Sequence, residues 1–170
     1  MAKIGIFYGS STSRTEEAAN QIQKSLGHGE VFDIAEVDLS LLNSFDVLIL
    51  GTSTWGTGDL QDDWESAQKK LAVANLKGKY VALFGLGDQE SFPDSFLDGM
   101  GILYGLLKNR EVNFLGTWST DGYFFASSKA LVAGKFVGLA LDDDTQSAQT
   151  LGRINRWTAS LKEELFKIYG

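Results

Sequence analysis

The chain has 170 residues, 44% hydrophobic and 22% charged, which is enough for one globular domain with a sizeable core. It has no cysteine and one histidine, which excludes disulfides, thiolate metal sites, cysteine nucleophiles and multi-histidine metal centres. A net charge of −7 disfavours nucleic acid and anionic membranes as partners. No apolar run approaches the ~18 residues of a membrane span, and the N-terminus lacks signal-peptide features, so we expect a soluble, cytoplasmic protein.

Apolar runs alternate with segments of helical period along the chain. The first half predicts strands over 4–8, 31–34 and 47–50 and helices over 15–26 and 62–72. The second half predicts strands over 81–84, 112–115 and 137–141 and two helices. The apolar positions of these two helices are Phe96, Met100, Leu103 and Leu107 in one, and Leu151, Ile154, Leu161, Leu165 and Ile168 in the other. Residues 116–136, about twenty residues rich in Gly, Ser and aromatics, read as an insertion with partial order of its own.

This alternation indicates an α/β fold with a doubly wound five-stranded parallel sheet of order 2-1-3-4-5. No linker-like or repeated segment interrupts it, so residues 1–170 are expected to form a single domain. In such sheets, ligands bind beyond the carboxyl ends of the strands, beside the first strand. The loops that follow Tyr8, Leu50 and Phe84 are therefore expected to form the site.

The first loop, residues 9–15, is rich in hydroxyl groups and stands at the entry of the first predicted helix. Five of its seven residues are serine or threonine. Hydroxyls, free N–H groups and the positive end of the helix dipole suit a phosphate monoester. A helix cap needs only one such residue, and the G-x-x-x-x-G-K-[ST] pattern of nucleoside triphosphatases is missing. We therefore favour phosphate binding over simple capping.

The other two loops supply aromatic rings and flexible backbone. The second, residues 52–59, contains Trp55, with Gly56 and Gly58 permitting positive φ angles. Such a tryptophan serves equally well as a lid on the core or as a ligand platform. The third, residues 85–93, adds glycines and Phe92 but lacks a dinucleotide fingerprint. A planar aromatic ligand with one phosphate, such as FMN, fits this inventory.

Five segments in order along the chain resemble the long-chain flavodoxin family. They are residues 4–10 followed by Thr12 and Thr15, and residues 51–55, 84–89, 118–123 and 134–142. The resemblance covers nearly all of the chain, and its last two segments resemble the insertion that splits the fifth strand in long-chain members. It implies a flavodoxin-like fold and a low-potential one-electron carrier with non-covalently bound FMN, shuttling between semiquinone and hydroquinone, and not an enzyme.

The resemblance also implies the site residues, with no catalytic residue and no metal ligand among them. The expected cofactor-binding residues are Ser10, Ser11, Thr12, Ser13, Arg14, Thr15, Thr52, Ser53, Thr54, Trp55, Gly56, Thr57, Gly58, Leu86, Gly87, Asp88 and Phe92. It places the Gly56–Thr57 peptide near flavin N5. Four positions depart from the family: glycine is common at the position of Ser13, lysine at that of Arg14 and proline at that of Ser53, and a tyrosine usually stacks on the flavin where Phe92 stands. We expect Phe92 to stack there too.

The acidic residues suggest how partners are recognised. Asp59, Asp62, Asp63 and Glu65 are expected both to start a solvated helix, with Asp59 as its cap, and to dock basic partners. The resemblance implies that these partners are ferredoxin/flavodoxin reductases and acceptor oxidoreductases, served by a monomer. Residues 142–144 read as a solvated strand end. The alternative function is an FMN-dependent reductase of quinones or small molecules, which would need a nicotinamide pocket above the flavin.

Overall fold

The computed structural model of this chain describes residues 2–10, 12–55 and 58–170, with the backbone alone of Trp55. Within them the strands are β1 Ile4–Tyr8, β2 Glu30–Asp33, β3 Val47–Trp55, β4 Asp59–Leu60, β5 Tyr80–Leu86, β6 Asn113–Leu115, β7 Leu131–Val132, β8 Lys135–Phe136 and β9 Leu139–Leu141. The α-helices are α1 Arg14–Leu26, α2 Asp62–Val73, α3 Asp98–Leu107 and α4 Thr150–Tyr169, and short 3₁₀ turns span Leu39–Ser44 and Ser147–Gln149. No helix in these three ranges is both long and apolar enough to cross a membrane.

The central sheet has the strand order β2-β1-β3-β5 and is completed by β6 and β9, both parallel to β5. β6 pairs with the first half of β5 (Val81 opposite Phe114), and β9 with the second half (Gly85 opposite Ala140). The predicted order 2-1-3-4-5 is thus confirmed, with residues 116–136 splitting the last strand. β4 is an unpredicted addition, antiparallel to the end of β3.

Helices cover both faces of the sheet. Successive strand residues point to opposite faces, so residues on both sides are buried. Phe7, Leu48 and Leu83 belong to the core under α2 and α3. Ile6 and Ile49 belong to the core under α1 and α4. Continuous apolar strands with a helix-covered core on each side are the expected pattern of a parallel sheet.

The helices bury most of the predicted positions, and α4 differs from the prediction at three residues. Leu151 and Ile168 are 55% and 37% exposed, whereas Trp157, which we did not place on the apolar face, is fully buried. A 20-residue helix spans ~30 Å, and a five-residue strand such as β1 only ~17 Å. The helix ends therefore extend past the strands, and the buried stripe is confined to the middle.

The insertion is ordered, as predicted, around a cluster of aromatic rings. It carries the hairpin β7–β8, and the backbones of Trp118 and Phe136 form a bridge. The ring of Phe136 lies 5.3 Å from that of Tyr123, and the guanidinium of Arg153 on α4 lies 4.0 Å from the same tyrosine ring. The insertion is thus packed onto both the core and the last helix.

Two predicted loops begin later than expected. β3 continues to Trp55 and β5 to Leu86, so residues 52–55 and 85–86 are strand and not loop. Thr52 lies opposite Gly85 and Ser53 opposite Leu86, so the ladder between the two strands continues into the site. Hydroxyl-rich and glycine-rich strand ends lack the apolar signal by which strands are recognised, which explains the misplaced boundaries.

Candidate functional site

The carboxyl ends of β1, β3 and β5 surround a cavity of about 480 Å³, as the sheet topology predicts. It is lined by Thr12, Arg14, Thr15, Ser53, Thr54, Leu86, Gly87, Asp88, Phe92, Asp143 and Asp144. Nine of these eleven residues belong to the expected binding set. The volume lies within the ~300–1,000 Å³ typical of small-molecule sites.

The first wall is the entry of α1, where polar groups lack partners. Ser13 is the N-cap residue, and its side chain makes no capping hydrogen bond. Its φ of 69° is in the left-handed region. The hydroxyl of Ser10 is buried and bonds no atom in the described ranges. An uncapped helix N-terminus beside an unsatisfied hydroxyl is suited to bind an anion. Ser11 lies outside the described residues.

The second wall is the end of β3, where only the last side chains of the strand reach the cavity. Ser53 and Thr54 line it, whereas Thr52 is fully buried and does not. The hydroxyl of Thr54 also accepts a 2.9 Å hydrogen bond from the N–H of Gly99, which ties this wall to α3.

The tip of the hairpin after β3 is described only in part. Gly56, Thr57 and the side chain of Trp55 lie outside the described residues, so the expectations for them stay predictions. Gly58 has a φ of 116°, as a glycine allows, and it does not line the cavity. A Cβ at this glycine would lie 2.8 Å from a carboxylate oxygen of Asp98. The hairpin therefore returns close against the start of α3.

The third wall is the turn after β5. Leu86, Gly87, Asp88 and Phe92 all line the cavity, as expected. The Asp88 carboxylate accepts hydrogen bonds from the backbone N–H groups of Glu90 and Ser91. The backbone carbonyl of Asp88 accepts one from Phe92 N–H. This self-bonded turn presents Phe92, which is 41% exposed, at the cavity rim.

Asp143 and Asp144 form part of the cavity wall that the sequence reasoning missed. Asp144 forms an ion pair with Arg14, whose pKa is raised mainly by the hydrogen bond to that carboxylate. The expectation of a solvated strand end is wrong for Asp142, which is completely buried. Because β9 pairs with β5, the residues that follow β9 reach the site. In the sequence, the run of three acidic residues directly after a predicted strand was the signal that could have identified them.

The acidic start of α2 also differs from the prediction in one respect. Asp59 belongs to β4 and is not the cap of α2. The cap is Gln61, whose side-chain oxygen accepts hydrogen bonds from the N–H groups of Asp63 and Trp64. Asp62 and Glu65 are exposed, as a docking surface requires.

The arrangement is suited to binding one anionic group and one flat, partly apolar group. It supplies backbone amides and hydroxyl groups at one end. At the other end it supplies an aromatic ring, an aliphatic side chain and the backbone of a glycine. Across residues 2–10, 12–55 and 58–170, no three His, Cys, Asp or Glu side chains are grouped so that they could hold a metal ion.

Comparison with known proteins gives consistent matches over nearly the whole chain. A family model described as Flavodoxin matches residues 6–157. A flavodoxin of Nostoc sp. is 46% identical over 164 residues, covering 95% of this chain and 96% of that protein. Flavodoxin 1 of Escherichia coli is 42% identical over 168 residues, covering 97% and 96%. A crystal structure of Fusobacterium nucleatum flavodoxin bound to flavin mononucleotide has a TM-score of 0.91 at 34% identity, covering 96% of this chain and 99% of that one.

Proposed function

Since this chain belongs to the flavodoxin family and is an FMN-based electron carrier, we propose that FMN occupies the cavity at the ends of β1, β3 and β5. The phosphate would lie on the first loop, and the ring between the second and third loops. Bound FMN supplies the redox centre. The residues of the chain bind it, exclude water from it and set the charge around it.

The unsatisfied polar groups at the entry of α1 carry this proposal. A phosphate there would accept from the buried hydroxyl of Ser10 and from the uncapped amides of the helix, which have no side-chain acceptor. Thr12 and Thr15 line the same end of the cavity and would add hydroxyl donors. A single cradle for one phosphate favours FMN, with FAD and riboflavin bound more weakly.

The ring end of the cavity suits a planar group. Phe92 would stack on one face, at ~0.5–1.5 kcal/mol beyond burial, and Trp55 would contribute the second aromatic face. Ser53, Thr54 and Gly87 line the same cavity with small side chains or none, so a flat ring could approach their backbone closely. Gly56 and Thr57 would follow the ring edge along the hairpin.

Acidic residues around the cavity would keep the reduction potential low. Asp88, Asp143 and Asp144 line it, within a chain of net charge −7. Negative charge beside the cofactor disfavours further negative charge on it, and exclusion of water by the stacked ring strengthens that effect. The carrier is therefore proposed to act as a strong donor in its second reduction step.

As an electron carrier the protein serves redox partner proteins. We propose that these are basic reductases and acceptor oxidoreductases, docked by Asp62, Asp63 and Glu65 beside the cavity. A monomer of one FMN-binding domain over residues 1–170, in the cytoplasm, is part of the same proposal. A chain without cysteine needs no oxidising compartment to fold.

The test compares FMN with riboflavin, which lacks the phosphate. Replacing Thr12 and Thr15 together by alanine should weaken FMN at least about tenfold, since each bond to a charged group contributes ~1.5–3 kcal/mol. Riboflavin should bind as in the parent, and Thr117→Ala, an exposed change in the insertion, should alter neither ligand. Binding is read from the quenching of flavin fluorescence. Equal losses for both ligands would refute the placement of the phosphate.

A further inference from the structure

A buried carboxylate, that of Asp142, lies directly behind the cavity wall. Asp142 follows β9 and is fully buried, although the side chain is an acid. The ion pairs within the described ranges are Arg14 with Asp144 and Lys77 with Glu111, and neither includes it. Burial of a charge is unfavourable unless hydrogen bonds satisfy it, so its partners indicate what it holds in place.

Five hydrogen bonds reach this carboxylate, and all come from two segments. Oδ2 accepts from the backbone N–H of Gln89 (3.1 Å), from the side-chain amide of Gln89 (2.8 Å) and from the hydroxyl of Thr145 (2.6 Å). Oδ1 accepts from the backbone N–H groups of Asp144 (3.1 Å) and Thr145 (2.9 Å). Every donor is an uncharged group, and both oxygens are satisfied.

The two segments are neighbouring walls of the cavity. Gln89 directly follows Asp88 on the third wall, and Asp142 directly precedes the wall residues Asp143 and Asp144. Gln89 is itself 2% exposed, and its side-chain oxygen accepts a 2.6 Å hydrogen bond from Phe124 N–H in the insertion. The carboxylate thus joins the turn after β5, the turn after β9 and, through Gln89, the insertion.

We propose that Asp142 is a positioning residue that, through Gln89 and Thr145, sets the separation between the turn after β5 and the acidic turn after β9. It thereby sets the affinity for FMN and the potential of the second reduction step. This inference rests on the proposed function, because it assigns the two walls to an FMN site. Asp142 itself does not line the cavity.

The polarity of the contacts makes Asp142→Asn a sharp perturbation. Whichever way the new amide turns, its NH₂ group faces at least two N–H donors: those of Gln89, or those of Asp144 and Thr145. A buried donor opposite another donor is more unfavourable than a bond that is merely absent. The shape and volume of the side chain barely change, so any loss of FMN affinity comes from the replacement of a hydrogen-bond acceptor by a donor.

A paired exchange should restore the contact. In Gln89→Glu combined with Asp142→Asn, the new carboxylate accepts from the new amide and still accepts from Phe124 N–H, whereas the backbone N–H of residue 89 still faces that amide. The net charge stays at −7, as in the parent. Gln89→Glu alone places two carboxylates about 2.8 Å apart and should be as harmful as Asp142→Asn.

The experiment measures FMN dissociation constants, midpoint potentials and urea unfolding of the cofactor-free protein for the parent and four variants. Asp142→Asn should weaken FMN at least about tenfold and shift the second potential, and the paired exchange, which relieves one of the two opposed donors, should recover part of both. Thr145→Val removes one donor without adding an opposed one, and should change both in the same direction by less. Asp121→Asn, which makes the same charge change on the exposed insertion, should match the parent.

The outcomes separate this inference from the proposed function. A parent that fails to bind FMN refutes the function. Hydrogen exchange of the Gln89 backbone amide in the cofactor-free protein, faster in Asp142→Asn than in the parent, then still tests the link. A parent that binds FMN while Asp142→Asn loses only stability, with affinity and potential unchanged, overturns the inference. So does a paired exchange that folds and recovers neither quantity. If Asp142→Asn fails to fold, the paired exchange and Thr145→Val decide the matter.

Discussion

Ser13→Gly should stabilise the cofactor-free protein, because Ser13 occupies a backbone conformation that suits glycine. Its φ of 69° and ψ of −13° lie in the left-handed region, where a side chain crowds the backbone. The side chain is exposed and makes no capping bond to α1, so its removal forfeits no contact with the helix. The substitution therefore isolates backbone strain.

Two opposing contributions set the change in the free energy of unfolding that Ser13→Gly produces. A side chain in the left-handed conformation costs about 1–2 kcal/mol. Glycine gives back about 0.4–1 kcal/mol through the greater freedom of the unfolded chain. The net gain is about 0.5–1 kcal/mol, which corresponds to a rise in Tm of ~1–3 °C for a domain of this size.

Thermal unfolding of the cofactor-free protein, followed by circular dichroism, measures this gain. Ser160→Gly is the matched control, since Ser160 is an exposed residue within α4. In a helix interior the same exchange costs about 0.5 kcal/mol and should lower Tm by ~1–2 °C. A Ser13→Gly variant with a Tm equal to or below that of the parent would refute the assignment of strain to this position.

Three further predictions concern the cofactor, the partner and pH. Phe92→Ala should weaken FMN by roughly threefold to tenfold and raise the second reduction potential, with Phe92→Tyr close to the parent; titrations that do not distinguish alanine from the parent would show that this ring does not cover the flavin. Neutralising Asp62, Asp63 and Glu65 should slow reduction by a basic reductase at low salt to the rate that the parent shows at high salt, because salt shortens the reach of the electric field to ~8 Å or less. A reduction rate that responds neither to salt nor to these substitutions would exclude docking at this surface. Burial raises the pKa of Tyr123 from 10.0 to about 12, so the unfolded chain releases this proton first and the parent should lose stability as pH rises from 10 through 12. Tyr123→Phe should lose less over that window in urea unfolding, and an equal loss would contradict the assignment.

Short-range patterns in the sequence were sufficient for the order of the strands and helices. The apolar runs at residues 4–8, 47–50 and 81–84 predict strands buried on both faces, and β1, β3 and β5 include them. Boundaries were less accurate, since β3 extends to Trp55 through polar residues held by pairing with β5. That pairing joins residues more than thirty positions apart, which no local pattern records.

For the candidate site too, local patterns in the sequence predicted some residues and long-range strand pairing placed the others. The hydroxyl-rich entry to α1 and the aromatic third loop are local signals, and nine of the thirteen predicted site residues that the structure describes with their side chains line the cavity. Asp143 and Asp144 were missed because they reach it only through the pairing of β9 with β5. The capping of α2 by Gln61 instead of Asp59 likewise depends on the short strand β4, which exists only through its pairing with β3.

By itself the sequence determined the alternation of strands and helices, the parallel sheet order and the loops in which the ligand site would form, because each depends on hydrophobic period and on a general rule of sheet topology. Only the tertiary structure decided which side chains at the strand ends line the cavity. It buries Thr52 while Ser53 and Thr54 line the site, and it draws Asp142 into the interior while its two neighbours remain at the wall. The physical reason is that burial of a polar side chain depends on donors brought from distant segments, here the amides of Gln89.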